Sequence, residues 1–196
     1  MKTILILFAH PALQKSRINK VLIEGLTKIE GVTFRDLYQT YPELDIDVGI
    51  EQQLLIDHDI IVFHHPFFWY STPPILKEWQ DLVLEHGWAY GSQGVALQDK
   101  LFFNVMTTGG RQEAYRSGGH NNFSIRQLLA PIEQTINLCK MHFIAPFVIH
   151  GTHSIQPDQV STHRQAYHQI LQMLRDEKVD LDRLRSLEYL NDLLAD

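Results

Sequence analysis

The fold of this chain is decided by its opening stretch, Thr3-Ile4-Leu5-Ile6-Leu7-Phe8-Ala9-His10-Pro11, and by the segment Ser16-Arg17-Ile18-Asn19 that follows it. The run of apolar and β-favouring residues predicts a strand that is buried on both faces. Pro11, Ser16 and Asn19 are typical of a turn that opens a helix. A strand that runs into a helix start presents unpaired backbone N–H groups, and such groups can bind a phosphate.

Length and composition are those of an ordinary globular protein. The chain has 196 residues, of which 44% are hydrophobic and 20% charged, and we expect one domain over residues 1–196 because no stretch is typical of a linker. Much of the net charge of -6 comes from a C-terminal extension at residues 176–196, which carries seven acidic and three basic residues. The rest of the chain is close to neutral, which argues against a nucleic-acid partner.

Cysteine and histidine usage narrows the chemistry further. Cys139 is the single cysteine, so an intramolecular disulfide and a multi-cysteine metal site are excluded and a cytoplasmic location is favoured. The pairs His64-His65 and His150-x-x-His153 lack the spacing of a metal-binding motif, and we expect no metal. The apolar opening is too short for a signal peptide or a membrane span, so membrane insertion is not expected.

Hydrophobic periodicity predicts strands that alternate with helices. Five strands are expected, at residues 3–9, 32–38, 59–65, 100–107 and 143–150. Helices are expected near residues 18–29, 51–56, 75–83, 125–138 and 159–174, the third of them with Ser71 or Thr72 as its N-cap. An extra amphipathic helix at residues 180–194 either caps the domain or packs on a second subunit.

This alternation predicts an α/β fold with a five-stranded parallel sheet and helices on both faces. In the strand order 2-1-3-4-5, the winding reverses between the first and third strands, and ligands bind there at the carboxyl ends. The loops after the first, third and fourth strands are therefore expected to meet around one crevice. The chain has neither G-x-G-x-x-G nor G-x-x-x-x-G-K-[ST], which leaves a mononucleotide phosphate as the candidate ligand of the first loop.

Two further loops carry unusual residues. The four aromatic residues of Phe67-Phe68-Trp69-Tyr70 cannot all face the core, because successive side chains of a strand alternate in direction, so we expect at least one to face a ligand or a partner. An apolar wall of this kind suits a flavin ring. Thr107-Thr108-Gly109-Gly110 is either a simple turn or a place where the backbone approaches a ring. Tyr115 and His120, on the loop that follows, either lie over such a ring or are surface residues.

Taken together, these segments resemble the flavodoxin-like NAD(P)H:quinone oxidoreductases, and within them the ancillary proteins of glutathione-gated potassium efflux systems. The resemblance covers roughly residues 3–153. It depends on the following motifs: His10-Pro11, Ser16 to Asn19, Asp36-Leu37-Tyr38 with Tyr41-Pro42, His65-Pro66 with the four aromatic residues, Pro73-Pro74-x-x-Lys77-x-Trp79, His86-Gly87-Trp88-Ala89-Tyr90-Gly91 and Thr107 to Gly110.

The resemblance implies a flavodoxin-like fold and a flavin cofactor, FMN rather than FAD, because the chain lacks the longer C-terminal region of the FAD-dependent members. His10, Ser16, Arg17, Ile18 and Asn19 would bind the FMN phosphate and ribityl chain. Phe67, Phe68, Trp69 and Tyr70 would line the ring, and Thr107, Thr108, Gly109 and Gly110 would hydrogen-bond its polar edge. Tyr115 and His120 would contact the nicotinamide or the quinone, with His120 one residue away from the family spacing.

The first functional hypothesis is therefore a homodimeric enzyme with a ping-pong cycle. NADPH or NADH would reduce the bound FMN and leave, and a quinone would then accept two electrons in the same pocket. Trp88 and Tyr90 of the partner subunit would complete that pocket. A second hypothesis is a regulatory subunit that docks on the cytoplasmic domain of a potassium efflux transporter, which would hold it at the inner face of the membrane. A third is a flavodoxin-like electron carrier without a substrate pocket.

Overall fold

A parallel sheet forms the centre of residues 1–194, the part of the chain that the computed structural model describes. Its strands are β1 (Ile4–Phe8), β2 (Val32–Asp36), β3 (Ile60–Pro66), β4 (Leu101–Thr107), β5 (His142–Phe143) and β6 (Phe147–Ile149). They are arranged in the order β2-β1-β3-β4-β5, and β6 also pairs with β4. All of the pairings are parallel. The structure thus confirms the predicted flavodoxin-like strand order.

Helices cover both faces of this sheet. They are α1 (Asn19–Ile23), α2 (Leu37–Thr40), α3 (Val48–Asp57), α4 (Pro74–Val83), α5 (Ile125–Leu128), α6 (Ala130–Leu138), α7 (Pro157–Arg175) and α8 (Leu181–Ser186). One core packs α3, α4 and α6 on the sheet, and the other packs α1, α7 and α8 on the opposite face. Within residues 1–194, every helix falls short of the length and apolar character that a membrane span needs.

Strand β1 shows why the opening stretch organises the fold. Every residue from Ile4 to Phe8 is buried, and successive side chains enter the two cores alternately, with Leu5 on the α4 face and Ile6 on the α7 face. In register, Phe8 lies beside His64 of β3. The carboxyl ends of β1, β3 and β4 therefore come together, as the strand order requires.

The first predicted helix, at residues 18–29, is wrong in its extent. Helix α1 ends at Ile23, and Gly25 adopts a φ of 83°, which a helix cannot continue through. A short 3₁₀ turn at Leu26–Lys28 then leads to β2. The apolar spacing is retained because Leu22 and Leu26 both reach the same core, so periodicity alone does not reveal the break.

Helix caps account for other corrections to the predicted boundaries. The Asp36 side chain accepts a hydrogen bond from Gln39 N, so β2 ends there and Tyr38 is helical. Asp47 caps α3 in the same way, and α3 is longer than predicted. The N-cap of α4 is Pro73 rather than Ser71 or Thr72, because Pro74 occupies the first helical position and keeps the residue before it extended.

Proline also divides two predicted elements. Pro131, at the start of α6, separates α5 from α6 within the helix predicted at residues 125–138. Pro146 lies in the gap between β5 and β6, where a single strand was predicted at residues 143–150.

The helix predicted at residues 180–194 is likewise two pieces, α8 and a 3₁₀ turn at Leu190–Leu194, with extended backbone at Leu187. Its buried leucines pack on this chain's own sheet, which agrees with a cap on the domain.

Candidate functional site

A cleft of about 390 Å³ opens at the carboxyl ends of β1, β3 and β4. It lies at the point where the strand order reverses, which is the usual ligand position in such sheets. Its walls come from the loops after β1, β3, β4 and β6. The lining residues are His10, Ala12, Lys15, Ser16, Arg17, Ile18, Asn19, Pro66, Phe67, Phe68, Thr107, Gly109, Thr152 and His153.

Asn19 connects the two loops that form the floor of the cleft. Its amide Nδ2 donates to Ser16 Oγ at 3.2 Å and to Thr107 Oγ1 at 3.1 Å. Its backbone N–H also donates to Ser16 Oγ, at 3.0 Å. Because the Ser16 oxygen already accepts two hydrogen bonds, its own proton is available to donate to a ligand.

His64 lies behind Asn19 and holds its amide in one orientation. The Asn19 Oδ1 atom can only accept, so His64 Nε2, at 3.2 Å, carries the proton of this hydrogen bond. Complete burial, with smaller contributions from His65 and His10, lowers the pKa of His64 to about 3, and the ring is neutral at physiological pH. Its Nδ1 has no hydrogen-bond partner within residues 1–194.

Hydrogen-bond donors converge at the end of the cleft nearest α1. The backbone N–H groups of Arg17 and Ile18 have no acceptor in the described chain, and the Arg17 guanidinium spans the cleft to Thr152 O at 3.0 Å. Helix α1 has only five residues, so these groups and the Ser16 hydroxyl, rather than a long helix dipole, would bind an anion.

His10 contributes a further donor to this cleft. Ala12 N donates to its Nδ1 at 3.1 Å, so the neutral ring carries its proton on Nε2. Burial lowers the pKa of His10, which favours this neutral form. The ring also meets Phe68 edge-on, with centroids 6.0 Å apart. His10 therefore joins the polar end of the cleft to its aromatic wall.

The four consecutive aromatic residues separate into different environments, although they form a turn after β3 rather than the end of a strand. Phe67 is buried and Phe68 is half exposed, and both line the cleft. Trp69 and Tyr70 do not line this cleft. Both have left-handed backbone, with φ of 51° and 63°, and the turn places Trp69 with 92% of its surface exposed. Such strain in adjacent non-glycine residues is typical of functional sites.

A second cavity of about 310 Å³ adjoins the first and shares Phe67 with it. It is lined by Phe67, Trp69, Tyr70, Gly110, Ala114, Tyr115, His120 and Asn121. The loop after β4 folds back on itself because Asn121 N donates to Ala114 O at 3.0 Å. Tyr70 OH then donates to Asn121 Oδ1 at 3.2 Å. These bonds bring Tyr115 and His120 into one cavity beside the cleft.

The two glycines after β4 lie so close to neighbouring rings of this chain that a side chain at either position would collide with a ring. A Cβ added to Gly109 would lie 2.6 Å from His153 Nε2, and one added to Gly110 would lie 3.0 Å from Tyr115 Cε2. Thr108 lines neither the cleft nor the second cavity, since its side chain is buried and its hydroxyl donates to Gly110 O at 2.9 Å. Gly110 contributes to the second cavity only.

Several residues that line the cleft were not among the site residues predicted from the sequence. Lys15 and Thr152 line the cleft but belong to none of the motifs above, and His153 belongs only to the pair His150-x-x-His153, which was weighed as a metal site. His153 could be found from topology, because the loop after the last strand of such a sheet ends at the same edge. Within residues 1–194, no group of three or more His, Cys, Asp or Glu side chains could hold a metal ion.

The geometry suits one chemical class of ligand. Donors at one end of the cleft match a phosphate, and the wall of Phe67 and Phe68 matches a flat ring. The volume of about 390 Å³ lies within the range of small-molecule sites. A phosphorylated heteroaromatic molecule therefore fits the cleft, and the adjoining cavity is open to a second reactant.

Known proteins with the same architecture are similar to this chain. The family described by a flavodoxin-like fold matches residues 2–171. The potassium-efflux ancillary protein KefG of Yersinia pseudotuberculosis is 45% identical over 169 residues, or 86% of this chain and 93% of the relative.

Two crystal structures extend this comparison. General stress protein 14 from Treponema denticola, in complex with FMN, is 34% identical, with a TM-score of 0.84 and coverage of 88% of this chain and 99% of that one. An NADPH-quinone reductase from P. pentosaceus is 32% identical, with a TM-score of 0.77 and coverage of 85% and 96%.

Proposed function

The chain belongs to the flavodoxin-like family that includes NADPH-quinone reductases, and on that premise we propose that it is an FMN-dependent oxidoreductase that reduces quinones with NAD(P)H. The observation that carries the proposal is the pair of adjoining cavities. One cavity has hydrogen-bond donors for a phosphate and an aromatic wall, and the other contains Tyr115 and His120. The FMN-bound relative and the quinone reductase support the same assignment.

In this proposal the cleft holds FMN at its phosphate and at its ring. The Ser16 hydroxyl, the Arg17 side chain and the free N–H groups of Arg17 and Ile18 hold the phosphate. Asn19 positions the donors without contributing a free one, because its amide is already fully bonded. Phe67 and Phe68 pack against the ring. We assign Trp69, Tyr70 and Gly110 to the second cavity and Thr108 to support of the loop.

The second cavity is where this chain's own groups meet the substrate. When bound, FMN would supply the redox chemistry, taking a hydride from NAD(P)H and passing two electrons to a quinone. The quinone also takes up two protons to form the hydroquinone. The Tyr115 hydroxyl and the His120 ring would donate hydrogen bonds to the quinone oxygens, where negative charge develops. Trp69 would cover the cavity from the solvent side.

The experiment that tests this proposal is direct. The purified protein, saturated with FMN, should oxidise NADPH or NADH in the presence of benzoquinone or menadione. Its flavin absorbance should bleach on addition of the nucleotide alone and return when the quinone is added, as a ping-pong cycle requires. Absence of both the bleaching and the turnover would refute the proposal.

A dimer is part of the proposal because an aromatic surface borders the second cavity. Trp69 and Tyr70 line this cavity, Phe68 lines the adjoining cleft, and all three side chains are exposed. Exposed apolar patches of this kind are typical of protein interfaces. Light scattering should give twice the monomer mass of 22.8 kDa, whereas a monomer with bound flavin would favour a simple electron carrier.

An ancillary role is the second candidate, and the 45% identity to KefG supports it. The two roles are compatible, since a reductase can also dock on a transporter. Pull-down of the FMN-loaded protein with the cytoplasmic domain of a potassium efflux transporter from the same genome would test this role. Binding that is absent while the reductase activity is present would leave only the enzymatic function.

A further inference from the structure

The C-terminal segment of residues 187–194 follows the part of the chain that the family matches, which ends at residue 171. It covers the open edge of β6. Asn191 uses its side chain as a strand would use its backbone: Oδ1 accepts from Val148 N at 2.9 Å, and Nδ2 donates to Val148 O at 3.0 Å. Leu190 N donates to Pro146 O at 2.8 Å. The segment is therefore held in one register on the sheet.

From this edge the segment reaches both faces of the sheet. Leu190 and Leu193 enter the core on the α7 face. Tyr189 enters the opposite core, which also contains Tyr115, and only 3% of its surface is exposed. One short segment thus connects the C-terminal region to the side of the sheet that carries the second cavity.

Tyr189 is connected to the second cavity by two ring contacts, from Tyr189 to His150 and from His150 to Tyr115. The rings of Tyr189 and His150 meet edge-on with centroids 5.4 Å apart, and the His150 ring lies 5.6 Å from that of Tyr115. The Thr108 hydroxyl donates to Gly110 O, so its oxygen accepts from His150 Nδ1 at 3.3 Å. His150 is thus held between Tyr189 on one side and the loop that carries Tyr115 on the other.

We infer that Tyr189 is a positioning residue of the reductase, which fixes the Tyr115 ring through His150 and makes the C-terminal segment part of the substrate cavity. This inference rests on the proposed function. The ring of Tyr189, not its hydroxyl, carries the effect, because it is the ring that contacts His150 edge-on. Removal of the hydroxyl alone should therefore be tolerated, while loss of the ring should not.

Three variants of the full-length protein test the inference. Tyr189→Leu removes the aromatic ring but keeps apolar volume, and Tyr189→Phe keeps the ring. Leu193→Ala is the matched control, since Leu193 is buried in the same segment but on the opposite face of the sheet. Each variant is loaded with FMN, and its flavin affinity, melting temperature, and kcat and KM for benzoquinone are measured.

We expect the Tyr189→Leu variant to change quinone turnover but not FMN affinity. Tyr189→Leu should lower kcat/KM for benzoquinone about tenfold, because small displacements of a substrate-contacting group have effects of this order or larger. Its FMN affinity should equal that of the wild type. Tyr189→Phe should retain wild-type kinetics. Leu193→Ala should have a lower melting temperature but an unchanged kcat/KM.

Other outcomes separate the two proposals. Wild-type kinetics in Tyr189→Leu, or an equal loss of kcat/KM in Leu193→Ala, would overturn the positioning role while the proposed function stands. A wild-type protein that binds FMN but never turns over a quinone would instead overturn the proposed function.

Discussion

At the scale of single residues, Asn19 has the largest share of the cleft's internal hydrogen bonds. We predict that Asn19→Ala weakens FMN affinity roughly tenfold or more, since loss of a buried hydrogen-bonding group costs about 1–3 kcal/mol. His64 Nε2, Ser16 Oγ and Thr107 Oγ1 would all lose a partner. Equilibrium dialysis or flavin fluorescence gives the affinity. Lys20→Ala is the control, because Lys20 lies on the same helix but does not line the cleft.

Combining this change with Ser16→Ala should release FMN further while the protein remains folded. In the proposed FMN site Ser16 supplies a donor to the ligand and Asn19 only orients it, so the double variant would lose both functions. Circular dichroism monitors the fold in parallel. Flavin content equal to that of the wild type would contradict the phosphate assignment.

A second prediction at this scale concerns Gly110. In Gly110→Ala the new Cβ would lie 3.0 Å from Tyr115 Cε2 and 3.2 Å from its hydroxyl, so the Tyr115 ring must shift. We expect KM for the quinone to rise several-fold. Gly49→Ala is a matched control, because its Cβ would meet only Asp47 Oδ1 at an ordinary 3.5 Å. Gly49 lies within α3, where alanine should be neutral or stabilise by up to about 1 kcal/mol.

At the scale of secondary-structure elements, Glu51 connects three parts of the α4 face. It lies on α3 and is completely buried. Its Oε1 accepts from Arg35 Nε of β2 and from the Tyr41 hydroxyl, each at 2.8 Å, and its Oε2 accepts from Trp79 Nε1 of α4 at 2.9 Å. The carboxylate is therefore paired with a cation and fully hydrogen-bonded, which a buried charge requires.

We predict that Glu51→Ala lowers the free energy of unfolding by about 3 kcal/mol, at the lower end of the range for broken buried pairs because Arg35 is partly exposed. The variant leaves three donors without their acceptor. Urea denaturation measures the change. Gln53→Ala, at an exposed position of the same helix, should stay within about 0.5 kcal/mol of the wild type. Similar stabilities for the two variants would mean that the buried network contributes little.

At the scale of the whole molecule, buried histidines set the response to acid. Burial lowers the pKa of His64 to about 3 and that of His150 to about 4. In the unfolded chain both rings titrate near their ordinary pKa of about 6.5. Between pH 7 and pH 5 the unfolded state therefore takes up protons that the native state does not, and stability falls as the pH falls.

Each of these histidines is expected to lower the free energy of unfolding by about 2 kcal/mol between pH 7 and pH 5. Urea denaturation at the two pH values measures it. His64→Leu should show a shallower pH dependence than the wild type, by about the contribution of one histidine, whatever its absolute stability. A free energy of unfolding that does not change between pH 7 and pH 5 would contradict the burial argument.

Much of this architecture could be predicted from local patterns, because buried parallel strands have a distinctive composition. β1 is a continuous apolar run and β3 and β4 are nearly so, and their order and the convergence of their loops follow from rules of parallel sheets. The boundaries were less predictable. Gly25, Asp36 and Asp47 change the backbone direction through a single dihedral angle or hydrogen bond, which hydrophobic spacing does not report.

What the sequence by itself determined is the sheet, its order and the loops that form the cleft, since these follow from local apolar runs and chain connectivity. Only the tertiary structure decided how the site is divided. The left-handed turn at Trp69 and Tyr70 keeps both residues out of the cleft that Phe67 and Phe68 line, and the loop after β6 places His153 against Gly109. Tyr189 is placed against His150, which in turn contacts Tyr115, for the same reason: contacts between residues far apart in the chain depend on packing, and packing has no signature in sequence spacing.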